Sequence, residues 1–170
     1  MKKFILTIFA LIIFAGIGNA QKFGFIDSEY ILENIPAFTA AQEHLDKLSQ
    51  QYQKELETMY AEIELMYRNY QVESVKLSEE MKRRREDTII NKEKDYKQLQ
   101  SKYFGPSGDL FETRQKLVSP ILDSIFNTVR GIANEGGYAT IFDIAGNSTL
   151  FYTNPDYDLS DQVLQKLGYK

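Results

Sequence analysis

The chain has 170 residues, no cysteine and a formal charge of −4, a length that suits one domain or one domain with an appendage. Without cysteine it has no disulfide, thiol nucleophile, Cys-based metal site or lipoprotein leader. The acidic balance argues against nucleic acid as the main partner, because phosphate binding needs a basic surface.

The N-terminus carries Lys2 and Lys3, then an apolar run from Phe4 to Ile17, then Gly18-Asn19-Ala20. A basic start, a short apolar core and small residues at the end read as a secretory signal peptide over residues 1–20, cut after Ala20. The run is shorter than the roughly 20 apolar residues that span a bilayer. Loss of Lys2 and Lys3 leaves 18 basic side chains against 24 acidic ones, so the exported chain is more acidic still. Its Phe, Tyr and Leu content is too high for a disordered chain.

Lys22 to Ile26 reads as a short strand with Phe23 and Phe25 on one face. Asp27-Ser28 offers an N-cap to a short helix from Glu29 to Ile35. Pro36 suits the first position of a new helix and disfavours helix at the residue before it. That helix is expected over Pro36 to Glu73. Its apolar residues recur at Leu45, Leu48, Tyr52, Leu56, Met59, Ile63, Met66 and Tyr70, close to a heptad period. So narrow a stripe can zip against one partner helix but cannot wall a large core. The rhythm fails after Tyr70. Ser78-Glu79-Glu80 then has the form of a helix start, a capping hydroxyl followed by acids near the positive end of the dipole. A descending helix with a looser stripe at Ile89, Tyr96, Leu99 and Tyr103 follows. The two stripes and the short link between them predict an antiparallel helical hairpin with its tip near residues 74–77.

Phe104-Gly105-Pro106-Ser107-Gly108 breaks the descending helix. Replacing Gly105 and Pro106 with alanine is expected to stiffen the arm. From Asp109, a wider stripe (Leu110, Phe111, Leu117, Val118, Ile121, Leu122, Ile125, Val129, Ile132) marks a helix entering a core. Ser119-Pro120 within it is either a kink or a fresh N-cap with proline at the first position. Gly136-Gly137 ends it. Tyr138–Ile144 and Thr149–Thr153 are strands by composition, joined by Ala145-Gly146-Asn147-Ser148 as a hairpin. Ser160 caps a last short helix with Val163, Leu164 and Leu167 inward and Gly168 at its end. A sheet this small is marginal alone and leaves unpaired edges. A homo-oligomer that pools strands is the economical solution.

No residues present a catalytic, cofactor-binding or metal-binding constellation, and the chain is expected not to be an enzyme. His44 is a lone histidine on the ascending helix, read as solvated. The carboxylate pairs Glu62/Glu64, Glu79/Glu80 and Glu86/Asp87 lie on a solvated face, without the cleft that shifts a catalytic pKa. Two features are candidates for contact. Tyr60 and Tyr67 lie beside the stripe and either suit varied apolar surfaces or simply widen the seam between the two helices. Lys82-Arg83-Arg84-Arg85 makes the tip region locally basic. It either attracts an acidic partner or an anionic membrane surface, or forms a solvated face balanced by its acidic helical neighbours.

Several stretches resemble the Skp/OmpH family of periplasmic chaperones. They are Phe23-Gly24-Phe25-Ile26-Asp27-Ser28 with Ile31-Leu32 and Pro36, and Phe104-Gly105-Pro106-Ser107-Gly108-Asp109-Leu110-Phe111 through Arg114-Gln115 to Pro120-Ile121. Ala133-Asn134-Glu135-Gly136-Gly137-Tyr138 with Ile141-Phe142-Asp143, and Asp158-Leu159-Ser160-Asp161 with Val163 and Leu167, complete the likeness. The resemblance implies an α+β homotrimer. Its small β body would comprise residues 21–36 and 119–170, and its coiled-coil hairpin arm residues 37–118. It also implies an ATP-independent periplasmic holdase that keeps unfolded outer-membrane β-barrel proteins from aggregating, with no cofactor. Well-known members are basic, whereas this chain is acidic and concentrates its positive charge near Lys76–Arg85. The alternative reading is a structural or adaptor coiled-coil protein of the cell envelope.

Overall fold

A computed structural model describes residues 21–146 and 150–170. The expected signal peptide lies outside the described residues, as do the end of the predicted turn and the start of the strand after it. The elements in order are β1 (Lys22–Ile26), α1 (Ser28–Glu33), α2 (Pro36–Glu73), a 3-10 turn (Ser74–Lys76), α3 (Glu79–Phe104), α4 (Asp109–Gly136), β2 (Tyr138–Asp143), a second 3-10 turn (Pro155–Tyr157) and α5 (Ser160–Leu167). The chain divides into two compact units. One is Leu32–Ser124; the other joins the described residues 21–31 with Ile125–Lys170.

In the Leu32–Ser124 unit, α2 starts where the proline predicts. Ile35 is extended, and Pro36, which has no N–H to leave unpaired, opens the helix. All eight stripe residues of α2 are buried or half-buried, while their neighbours in sequence are almost all exposed. The stripe packs on α3, where Ile89 and Tyr103 are buried. Tyr52 meets Tyr103, Tyr60 meets Tyr96, Tyr67 meets Glu93 and Tyr70 meets Glu86, so partner numbers fall along α3 as they rise along α2. Ser78 caps α3 by accepting from the Met81 N–H at 3.3 Å. At the start of α2 a second small core gathers Ala41, Leu45 and Val118, with Phe38, Leu110 and Leu117 against it.

α3 ends at Phe104 and α4 begins at Asp109, with Gly105-Pro106-Ser107-Gly108 between them. The Gly105 N–H bonds to Ser101 O and the Gly108 N–H to Gly105 O, so the break is a bonded turn rather than open coil. Both glycines are required by close approach. A Cβ on Gly105 would sit far inside van der Waals contact with Ser101 O, and one on Gly108 would meet Lys102 O at 2.7 Å. The expectation that alanine at residue 105 simply stiffens the arm is therefore corrected, because this backbone has no room for it. α4 runs through Pro120 as one helix, so Ser119-Pro120 is not a fresh start. It ends before Gly137, whose φ of 64° suits glycine.

In the other unit, β1 and β2 form a two-stranded parallel sheet, with Phe25 opposite Phe142 and Ile26 opposite Asp143. Among the described residues the predicted β hairpin does not form. Residues 150–153 form no strand, and the partner of β2 is β1. Parallel pairing needs a long crossover, which α2–α4 supply. It also fits β1, whose Gly24, Phe25 and Ile26 are consecutively buried rather than alternating. Phe23 and Phe25 do not share an environment: Phe25 is buried and Phe23 about half exposed, next to a register irregularity between Lys22 and Phe23. On its second side β1 meets the start of α5, where the Leu159 N–H bonds to Phe25 O at 2.9 Å. This explains why Ser160 is not the N-cap. It lies inside α5, buried, and its N–H donates to the Asp158 carboxylate at 2.8 Å. Its hydroxyl accepts from the Asp27 N–H at 2.9 Å and donates to Asp158 at 2.6 Å. The Asp27 carboxylate in turn accepts from the Glu29 and Tyr30 N–H groups, starting α1. Ile31, Ile132, Val163 and Leu164 are the most buried apolar side chains of this unit. Gly168, at φ 83°, stops α5 as expected.

Candidate functional site

The α2–α3 pair of the Leu32–Ser124 unit presents an exposed surface rich in large apolar side chains. The seam consumes only one stripe of each helix, so large apolar side chains beside it stay in water. Tyr60 is 53% exposed, and Leu65, Val72, Met81, Ile90 and Phe104 are also exposed. A shallow groove of about 430 Å³ runs between the helices, lined by Leu56, Tyr60, Tyr96 and Phe104 with Gln53, Glu57 and Gln100 at its edges. The Tyr60 and Tyr96 rings lie 6.0 Å apart. The sequence singles out Tyr60. It misses the rest of the groove, because Tyr96 and Phe104 come from the other helix and meet Tyr60 only through the inter-helix register.

Tyr67 serves a different purpose. Although 41% exposed, its hydroxyl donates to Glu93 Oε1 at 3.0 Å, tying α2 to α3. That bond, with smaller contributions from desolvation and the same carboxylate's charge, holds its phenol above the ordinary value. Tyr70 bonds to Glu86 in the same way, with the same upward effect. Tyr103 donates to Glu55 Oε2 at 2.8 Å, and this bond, then desolvation and carboxylate charge, pushes its phenol up to about 12. Tyr52 stacks flat on Tyr103, 3.8 Å between centroids and 5° between planes. Four cross-helix tyrosines thus lock the pair, three of them through the carboxylates Glu93, Glu86 and Glu55, of which Glu86 was expected on a solvated face. Met59 and Met66 are half-buried in the seam.

The basic run lies at the start of α3, and most of its charge is answered within the chain. Lys82 pairs with Glu79 at 2.7 Å, Arg84 with Glu80 at 2.6 Å, and Arg85 reaches across to Glu73 on α2 at 3.2 Å. Arg83 is exposed and has no ion-pair partner among the described residues. Exposed pairs of this kind are worth little in stability. They nevertheless reduce the local positive field that the composition of residues 76–85 suggests.

The other unit holds an apolar groove of about 570 Å³ that the sequence does not foretell, over Phe23, Phe25 and Phe142 of the sheet with Leu150 and Tyr157. The Phe23 and Phe142 rings stack 6.4 Å apart. Beside it, Phe151 is 99% exposed and Tyr152 80% exposed. Two adjacent aromatics of strand-like composition, followed by a turn, are the signal that could have drawn attention here. Among the described residues no group of three or more acidic or histidine side chains is gathered to hold a metal ion, and His44 is exposed. No helix among them is long and apolar enough to cross a membrane.

Long paired helices and a very small parallel sheet define a mostly helical class of fold. Within it, the chain belongs to the OmpH-like outer membrane protein family, whose model matches residues 22–167. The fold is also similar to that of a candidate outer membrane chaperone (OmpH-like) from Caulobacter crescentus. The TM-score is 0.67 at 14% identity, over 86% of this chain and 83% of that one. No curated protein matches the sequence.

Proposed function

We propose that this protein is an ATP-independent periplasmic holdase that binds unfolded outer-membrane β-barrel proteins and keeps them from aggregating. The observation that carries the reading is the α2–α3 surface, where large apolar and aromatic side chains stay exposed on helices already satisfied by a narrow seam. Membership of the OmpH-like family supports it. In this reading residues 1–20 direct export and are removed after Ala20. Residues 37–118 form an antiparallel coiled-coil hairpin with its tip near residues 74–77. Residues 21–36 and 119–170 form a body completed by two further copies. The outer edge of β2, unpaired among the described residues, and the bare aromatics Phe151 and Tyr152 favour such completion, since an exposed edge with apolar neighbours seeks a partner.

Clients would be held by many weak contacts, with avidity replacing a single deep site. Tyr60 and its groove supply apolar contact. Tyr67 contributes mainly by fixing the pair. Of Lys82, Arg83, Arg84 and Arg85, Arg83 is the cation left for an acidic client or an anionic membrane surface. The test is aggregation of a urea-unfolded β-barrel membrane protein on dilution, with and without the protein after removal of residues 1–20. Suppression at stoichiometric amounts is expected. Unchanged aggregation at several-fold excess would sink the proposal.

A further inference from the structure

At the end of the α2–α3 seam next to the Gly105–Gly108 turn, five chemically active side chains come together. Tyr52 and Tyr103 lie face to face, 3.8 Å between ring centroids and 5° from parallel. The Tyr103 hydroxyl donates to Glu55 Oε2 at 2.8 Å. The negative charges of Glu55 and Asp109 act on both rings. Lys102 completes the cluster, 3.9 Å from Asp109 and 5.8 Å from the Tyr103 ring.

We propose that Tyr52 and Tyr103 form an oxidative modification site, where a one-electron oxidant joins α2 to α3 through a dityrosine bond. The geometry meets the needs of that chemistry. Removing an electron from a phenol is easier when its proton can leave at the same moment, and the Glu55 carboxylate is already bonded to the Tyr103 proton. The negative charges of Glu55 and Asp109 beside both rings favour loss of electrons from them and outnumber the opposing Lys102 cation, which is itself paired with Asp109 at 3.9 Å. Each phenol gives up one electron to the oxidant and one proton, Tyr103 to Glu55 and Tyr52 to solvent. The two phenoxyl radicals then form a carbon–carbon bond between ring positions ortho to the oxygens. The ring hydrogens at those positions shift to oxygen as aromaticity returns. The net change is loss of two protons and two electrons, so the product is lighter by two hydrogen atoms. The stack supplies the proximity that makes coupling outrun encounter with another chain. The consequence would be a stapled helix pair, closed at the end where α3 turns into α4.

Residues 1–20 are removed for the test, and the protein is oxidised at low concentration with photo-excited ruthenium tris-bipyridyl and persulfate as the electron acceptor. The expected product has dityrosine fluorescence, and its tryptic digest contains one linked pair of peptides carrying Tyr52 and Tyr103, lighter by two hydrogens. Tyr52→Phe and Tyr103→Phe each keep a stacked ring and should abolish that link. Tyr60→Phe should leave it, although Tyr60 and Tyr96 are the next pair, 6.0 Å apart and 52° inclined. Glu55→Gln should slow formation several-fold, and circular dichroism shows whether the helices persist in each variant. A link that maps to Tyr60–Tyr96, a link between chains only, no dityrosine in the folded protein, or undiminished yield in Tyr103→Phe would each overturn the assignment.

Discussion

Gly105→Ala sets two physical arguments against each other. Gly105 has φ −66° and ψ 168°, a conformation open to any residue. Judged on backbone freedom alone, alanine should stabilise the protein by about 0.4–1 kcal/mol through the unfolded state. The local packing says the opposite. The Gly105 N–H bonds to Ser101 O at 2.8 Å, which draws that carbonyl against the position of the missing Cβ. The added carbon would fall well below the 3.0 Å that real Cβ atoms keep, and the neighbour is backbone, which cannot swing aside. Relief requires the last turn of α3 to open, at an overpacking cost of about 1–3 kcal/mol and the loss of a helix-ending hydrogen bond worth about 1 kcal/mol. Against the gain in the unfolded state, the net is destabilisation of about 1–3 kcal/mol. Urea unfolding followed by far-ultraviolet circular dichroism measures it. Amide exchange over residues 99–108 localises it, and loss of protection should concentrate there. A variant as stable as the parent, or more so, would refute the steric argument and restore simple stiffening of the turn.

Ile63 is 4% exposed in the middle of the seam, so Ile63→Ala should cost about 2–4 kcal/mol, whereas Leu65→Ala, at an exposed neighbour, should change little; parallel urea melts compare the two. Tyr103 should titrate near 12 rather than 10 by ultraviolet absorbance difference against Tyr103→Phe. Because the folded value is raised, its stabilisation is intact below the free-phenol value of about 10 and is lost as pH rises toward 12. A Tyr103 that titrates near 10 would contradict the Glu55 bond. Asp161 is held below its ordinary 3.8 by hydrogen bonds from Lys170 at 2.5 Å and Tyr30 at 3.0 Å. Its contribution is therefore complete above that pH and fades as pH falls through the lowered value, which carboxyl NMR and acid titration of Asp161→Asn can read.

Much of the architecture follows from local chemistry and is legible in the residues themselves. Pro36 opens α2, the heptad-like stripe from Leu45 to Tyr70 turns inward, and Ser78 caps α3. The glycines after α4 and α5 take positive φ as their positions demand. Each depends on a few neighbouring residues, or on a period that repeats over many turns. Tyr60 was visible for the same reason, as an aromatic just off a clear stripe.

Tertiary structure alone decided the remainder, because the deciding partners are far apart in the chain. The strand chemistry of Tyr138–Asp143 predicts extended backbone, but not that its partner is Lys22–Ile26 in parallel, more than a hundred residues earlier. Ser160 has the composition of a cap, yet Leu159, bonded to Phe25 of β1, takes the cap position and leaves Ser160 inside the helix. The Tyr67–Glu93, Tyr70–Glu86 and Tyr103–Glu55 bonds depend on where α3 lands against α2. The basic run is read from composition as a positive patch. Only the placement of Glu73, Glu79 and Glu80 beside Lys82, Arg84 and Arg85 reduces it to Arg83. Periodicity determines which face of each helix is apolar. Which side chains on two such faces meet is set by their register, and that is a property of the packed pair.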